Sequence, residues 1–496
     1  MKKKLNDFFQ IKKYNSSIKI EVLAGITTFL SMAYILTVNP NNILWNGPTD
    51  PNFGGVFIAT CLGSFIGTIA MSLIARMPFA QAPGMGLNAM VGSIIGGAMG
   101  FGFSYGNAML LVFISGIIFL LLSILPGGYD KKEKRSVSLR EKIFEGMPKA
   151  IRLAIPVGIG LFITFIGLQN AGLVNHNEFT LLELVNFNNP ELWKYGGVAL
   201  GAIVTIFGLI VITILEHFKV KGSVVIGIIS ASILAIPLGI ADLSILFGDT
   251  PGITWKFWEN LANYFSQDGV FLSLFKNGFN IPTGSFFTCC MLVLTFCMID
   301  LFDTIGTIVG CSTNAKLVND EGKPLNYDKI MYADSIAALG ASVVGTSSVT
   351  TFVESGTGIA SGGRTGLTSL VTAILFLLAI FLLPLFAFIP SEAAASALIY
   401  VGVLMMKNVL DIDFFKIRYA VPSFLTIIIM PFAYSITDGI GFGVISFVLI
   451  NGIIYLIDLY KYKNGIIKEK PISEITLVTI IVTILFLIYF LMPTIS

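Results

Sequence analysis

Apolar stretches recur along the whole of this chain, and that recurrence restricts the fold more than any single motif does. They lie near residues 20–38, 54–75, 84–101, 105–125, 150–170, 195–216, 223–244, 285–310, 330–346, 352–364, 366–389, 393–407, 419–435 and 438–459, with a further stretch at 475–493. Crossing a bilayer takes roughly 17–25 apolar residues in a helix, and a helix satisfies its own backbone polar groups where no water can. The expected fold is an all-α polytopic membrane protein. Of the 496 residues 55% are hydrophobic and 12% charged, against a charged share of about 25% in soluble domains, so no sizeable soluble domain is expected.

The placement of charge supports fourteen spans with a cytoplasmic N-terminus, because Lys and Arg crowd cytoplasmic loops. Of the 31 basic residues 28 fall on one side in that arrangement, among them Lys2, Lys3, Lys4, the loop "YDKKEKRSVSLREKIFEGMPKAIR", Lys219, Lys316, Arg364 and Lys416. Only Lys194, Lys256 and Lys276 fall on the other. A net charge of +2 with no basic cluster outside the membrane plane gives no nucleic-acid face. The N-terminus reads as a retained tail, since no short apolar core with a small-residue cleavage site follows its lysines. Cys61, Cys289, Cys290, Cys297 and Cys311 form no CxxC pair and read as packing residues. His176 and His217 have no partner at ligand spacing, so no metal or other cofactor and no enzyme activity is expected.

The stretch 245–283 reads as an outer loop with an amphipathic interfacial helix. It divides the spans into two sets of seven, and an odd number per half makes the second half enter the membrane inverted. A short motif repeats accordingly. "APGMGLNA" (82–89) opens the third span and "ESGTGIAS" (354–361) opens the tenth, and "LGSFIGT" and "LGASVVGT" close the spans before them. Both motif segments are interrupted, by Pro78 and Pro83 in one and by glycines in the other. Paired interrupted segments at corresponding positions point to a transporter's binding site. Each is expected to be an extended stretch leading into a half-helix.

The tenth-span motif places an acid, Glu354, where a bound anion would sit, which favours a neutral substrate that offers N–H donors. In span eight Asp300 and Asp303 are three apart and share a helix face with Thr304 and Thr307. Acids inside spans are costly and therefore candidates for function, the alternative being a helix cap or a hydroxyl partner. Asn88 offers both a donor and an acceptor to a heterocycle edge, or else holds unwound backbone in place. Phe352 and Tyr34 are candidate stacking faces. Arg364 reads as a topology anchor.

"GITTFLSMAYILTVNP" in span one, "APGMGLNA" in span three, "DLFDTIGT" in span eight and "TTFVESGTG" in span ten together resemble the purine permeases of the AzgA type, in the nucleobase/ascorbate transporter superfamily. The resemblance covers residues 15 to 460 and implies fourteen segments in two inverted repeats of seven (7+7), with half-helices in segments 3 and 10. It implies a core domain in two parts (19–126 and 284–390) and a gate domain in two parts (127–244 and 391–460), while the tail 1–18, the outer loop 245–283 and the C-terminal segment 461–496, which holds a candidate extra helix, are read from the chain itself. The implied activity is inward symport of a purine nucleobase with a proton across the plasma membrane, by alternating access. Hypoxanthine and guanine lead, followed by adenine, and a gate-to-gate homodimer fits the superfamily. The resemblance puts Glu354, Asp300 and Asn88 on the base and Asp303 in the transport cycle. The backbone N–H of Gly356 would meet the ring, and Glu354, Asp300 or Asp303 would carry the proton. Thr304 stands where uracil carriers have a His. An anion transporter of the same fold is the principal alternative. A passive channel lacks a continuous polar lining.

Overall fold

A computed structural model describes residues 2–44, 47–96, 102–130, 135–177, 181–220, 222–247, 253–282, 284–318, 324–464, 466–467 and 469–491. Every apolar stretch read from the sequence carries a helix. Among the described residues nine are long and apolar enough to cross a membrane: Ile18–Ile43, Phe53–Ala75, Tyr105–Ile124, Lys149–Asn170, Val198–His217, Phe286–Ile305, Gly366–Ala387, Ser391–Asp411 and Ile436–Lys463. Met85–Ile95, Ser223–Ala235, Ile417–Phe432 and Leu477–Ile488 are shorter apolar helices. The end of the third span, 97–101, lies outside the described residues, as does 131–134 of the basic loop.

The chain is mostly but not wholly helical. Three antiparallel two-stranded ladders interrupt the helices, 126–130 with 135–138, 174–177 with 181–184, and Gln81–Pro83 with Val349–Thr351. The first two are loop hairpins. The third joins the two interrupted segments. Their extended lead-ins are buried, and each supplies the hydrogen-bond partners that the other lacks, which is how non-helical backbone becomes tolerable at membrane depth.

In the outer loop the amphipathic helix is Phe257–Phe265, and 248–252 and 283 lie outside the described residues. Its Tyr264 is fully buried and donates to the Val344 carbonyl at 2.8 Å. Trp258 on the opposite face is exposed.

The chain divides into two compact units. The first comprises residues 1–120, 164–282 and 303–400. Within it helix 53–70 packs against Tyr327–Val344 and Gly366–Ala379, and helix Ile18–Met32 packs against 366–379 and the short helix Ser355–Ala360. The second comprises 121–163, 283–302 and 401–496. Its helices 417–432 and 436–463 pack together, and Ala154, Val157, Ile412 and Ile427 form an apolar cluster. There the C-terminal helix Leu477–Leu491 lies on helix 436–463, with Phe486 and Phe490 against Gly441, and the Thr476 and Thr479 hydroxyls donate to the Gly146 carbonyl. The boundaries at 163 and 302 fall inside the helices Lys149–Asn170 and Phe286–Ala315.

Candidate functional site

Strands 81–83 and 349–351 are the platform of the site. Their register pairs Gln81 with Thr351, Ala82 with Thr350 and Pro83 with Val349. Gly84 N–H donates to Ser348 O and Phe352 N–H to Ala80 O, both at 3.0 Å, so the pairing extends beyond the strands. The chain then turns directly into Met85–Ile95 on one side and, three residues on, into Ser355–Ala360 on the other. These are the two places where the repeated motif breaks the helical period.

Glu354 stands just before helix 355–360, and its Oε1 accepts from the Tyr34 hydroxyl at 2.6 Å. Tyr34 is buried at the bend between helices 18–32 and Ile35–Ile43, where i to i+3 bonds from Ala33 and Tyr34 tighten the backbone. Such a short bond to a carboxylate is a charge-assisted one. Read from sequence as a stacking face, Tyr34 spends its hydroxyl on holding the acid. Asp303 and Tyr400 are close enough to Tyr34 to act on it electrostatically, and Glu216 acts likewise on Tyr400. Asp303 accepts from the Thr350 hydroxyl at 3.2 Å, which ties the span-eight acid to the strand. No Lys or Arg pairs with Glu354 or Asp303 among the described residues.

Asn88 is fully buried one turn into helix 85–95. Its carbonyl accepts from Asn42 at 3.3 Å, and its Nδ2 has no partner among the described residues. Burying an amide donor unpaired costs about 1–3 kcal/mol, so this N–H is suited to a ligand acceptor. A Cβ on Gly356 would meet nothing within 4 Å, so space opens on the motif beside Glu354. Phe352 is buried at the strand end. Tyr34, Asn88, Asp303, Phe352, Glu354 and Gly356 all belong to the first unit.

Asp300 belongs to the second. It is 1% exposed, and Arg140, itself buried in helix Leu139–Gly146, acts electrostatically on Cys297 as Asp300 does. A charge read from sequence as a topology marker of the basic loop is thus buried. Thr304 donates to Asp334 at 2.9 Å.

Asp334 was missed in the sequence, although an acid in the apolar stretch 330–346 carries the same signal as Asp300. Its carboxylate also accepts from Gln81 Nε2 at 3.0 Å, and that amide donates in turn to Thr351. The network fastens helix 327–344 to the platform and leaves Gln81 Oε1 buried with no partner among the described residues. Tyr400 and Glu21 were missed as well. Arg364, read from sequence as a topology anchor, has a structural contact as well: its guanidinium donates to the Ile359 carbonyl in the last turn of helix 355–360 and to the Gly363 carbonyl beyond it.

Comparison with known proteins bears on the family and the fold. The family model Xan_ur_permease, described as a permease family, matches residues 19–442. The guanine/hypoxanthine permease PbuG of Bacillus subtilis (strain 168) is 37% identical over 453 residues, covering 89% of this chain and 93% of that protein. The adenine permease AdeQ of Escherichia coli (strain K12) is 34% identical over 443 residues, covering 89% of each. Among solved structures, the transmembrane domain of a cyanobacterium bicarbonate transporter, BicA, superposes with a TM-score of 0.57 over 85% of this chain and 97% of that one. At 15% identity that likeness concerns the fold alone.

Proposed function

This chain belongs to the Xan_ur_permease family and is a multi-pass membrane transporter, not an enzyme, and on that footing we propose that it takes up purine nucleobases by proton symport. The observation that carries the substrate class is the Glu354 carboxylate, held by Tyr34 beside open space at Gly356 and paired with no cation among the described residues. Such a group accepts N–H donors and repels anions. A purine offers N–H edges and ring acceptors, the complement of Glu354 and of the unpartnered Asn88 amide. Relatives whose names specify guanine, hypoxanthine and adenine support a purine over a pyrimidine.

In this reading the fourteen segments form two inverted repeats, the helices after the two platform strands are half-helices, and segments 1–4 and 8–11 make the core that moves against the gate, 5–7 and 12–14. The N-terminus is cytoplasmic, the membrane is the plasma membrane, and two chains pair through their gates. Glu354 accepts the ring or exocyclic N–H groups, Asn88 Nδ2 donates to a ring acceptor, and backbone N–H groups around Gly356 meet the ring. Asp300 takes the opposite edge as the carrier cycles. A carboxylate that loses solvent on closure is neutralised most cheaply by a proton, and Glu354, Asp300 and Asp303 are the groups available to carry it. Anion transport, the second reading, has the fold likeness to a bicarbonate transporter in its favour. The acids of the site oppose it.

Uptake of labelled hypoxanthine in cells stripped of their own nucleobase permeases tests the proposal. Protonophore-sensitive uptake that unlabelled guanine and adenine block, and that uracil does not, is the expected result. Confirmed protein in the membrane with bicarbonate uptake and no purine uptake would overturn it.

Gly356 gives a finer test. A Cβ there has no described atom within 4 Å, so Gly356→Ala is expected to reach the membrane normally. Its methyl occupies the space beside Glu354, and KM for the purine rises by roughly 10–100-fold, as a misplaced contact of about 1.4–2.8 kcal/mol would give. An unchanged KM would place the substrate elsewhere.

A further inference from the structure

We propose that Glu21 is a positioning residue for the substrate site: it fastens the chain just beyond helix 355–360 to helix 18–32 and so keeps Glu354 in register with Tyr34. The inference rests on the reading of Glu354 as the substrate carboxylate.

Glu21 lies in the first turn of helix 18–32 and is fully buried. Among the described residues no basic side chain pairs with it. Its Oε1 accepts from the Arg364 backbone N–H at 3.1 Å, and its Oε2 from the Thr365 N–H at 3.2 Å and the Thr368 hydroxyl at 2.6 Å. The Arg364 guanidinium meanwhile donates to the Ile359 carbonyl in the last turn of helix 355–360 and to the Gly363 carbonyl beyond it. Glu21 thus sits at the start of helix 366–379, where free N–H groups and the positive end of the helix dipole favour an acid.

The rest of the same helix face completes the fastening. Glu21, Ala24, Thr28, Ser31 and Tyr34 recur every three or four residues and form one stripe. Tyr34 bonds Glu354, and Thr357 donates to the Ser31 hydroxyl at 3.0 Å. A Cβ on Gly358 would meet the Thr28 hydroxyl at 2.0 Å and one on Gly363 the Ala24 Cβ at 2.9 Å. The interrupted segment is therefore laid along one helix from 354 to 368, with a carboxylate bond at each end. At one end the acid belongs to the segment. At the other it belongs to the helix.

Only an acceptor suits the Glu21 position, since all its partners are donors. Glutamine has the same shape but turns an NH2 group toward an N–H or O–H, so one anchor is lost without a change in volume.

The test uses the full chain. Glu21→Gln is expected to raise KM of purine uptake about tenfold, the worth of one hydrogen bond to a charged group, at unchanged abundance in the membrane. Because Glu21 acts through the Tyr34–Glu354 contact, E21Q should add little to KM in a Y34F background. An unchanged KM, or two effects that multiply fully, would overturn the proposal. If E21Q fails to accumulate, Glu21→Asp, which keeps the charge and shortens the reach, takes its place with the same expectation. Cross-linking of a Ser31→Cys/Thr357→Cys pair reads the register without any substrate: it should form with Glu21 present and slow by about tenfold in E21Q. Equal rates would overturn the proposal even were the substrate not a purine, whereas wild-type chain that carries no purine overturns the substrate reading alone.

Discussion

Glu354→Gln is expected to abolish accumulation of substrate against its gradient while leaving the protein folded and in the membrane. The substitution keeps the side chain's size but replaces one oxygen by an NH2 group. Glu354 accepts from Tyr34 at 2.6 Å, and it is also the expected acceptor for the purine N–H groups. A carboxylate serves both, having about four acceptor sites on two oxygens, whereas a carboxamide has one acceptor oxygen and two donors. The loss of at least one hydrogen bond to a charged group is worth about 1.5–3 kcal/mol, or roughly 10–150-fold in apparent affinity. Losing the ionisable group removes its share of the proton coupling as well. Exchange of internal for external purine should survive at reduced affinity. Concentrative uptake at the wild-type level in E354Q would remove Glu354 from the coupling mechanism.

Gly358→Ala has an equally large effect for a different reason. The added methyl would lie 2.0 Å from the Thr28 hydroxyl and 2.8 Å from the Ala24 carbonyl. The second neighbour is helix backbone and cannot rotate away. Helix 355–360 must therefore separate from helix 18–32, and overpacking of this kind typically costs about 1–3 kcal/mol. Little folded transporter should reach the membrane. Thr28→Ala removes the nearer contact and strands no donor, because the Thr28 hydroxyl only doubles back to Ala24 O at 3.0 Å. The double variant should recover part of the yield, measured as the monodisperse fraction of detergent-extracted protein. Normal yield of G358A alone would mean that the two helices are not in contact there. Gly356→Ala and Gly358→Ala thus separate two glycines of one motif, the first facing open space and the second a helix.

The sequence was informative wherever one residue's own chemistry decides the outcome. Hydropathy marks the helices because lipid burial demands them, and the broken period at 82–89 and 354–361 marks the platform because Pro and Gly interrupt a helix whatever packs beside it. Glu354 stood out for the same reason, being an acid in an apolar chain. What stayed hidden depends on partners distant in sequence. The pairing of strands 81–83 and 349–351 joins residues some 270 positions apart, and no local pattern announces it. Asp334 and Gln81 look like isolated polar residues until the fold brings them together. Glu21 follows the basic tail at Lys19 and reads as its continuation, yet it is buried against residues 364–368. Tyr34 was singled out, but for its ring, and its hydroxyl proved to be the part in use.

The central claim, that a purine and a proton move together through a site built on Glu354, is tested most directly in proteoliposomes loaded with neutral buffer and diluted into acidic medium. With no other energy source, labelled hypoxanthine should accumulate above its external concentration, collapse on addition of a protonophore, and not accumulate in E354Q vesicles that still exchange hypoxanthine. Equal hypoxanthine levels with and without the pH gradient, in vesicles proven to hold active protein, would contradict the account.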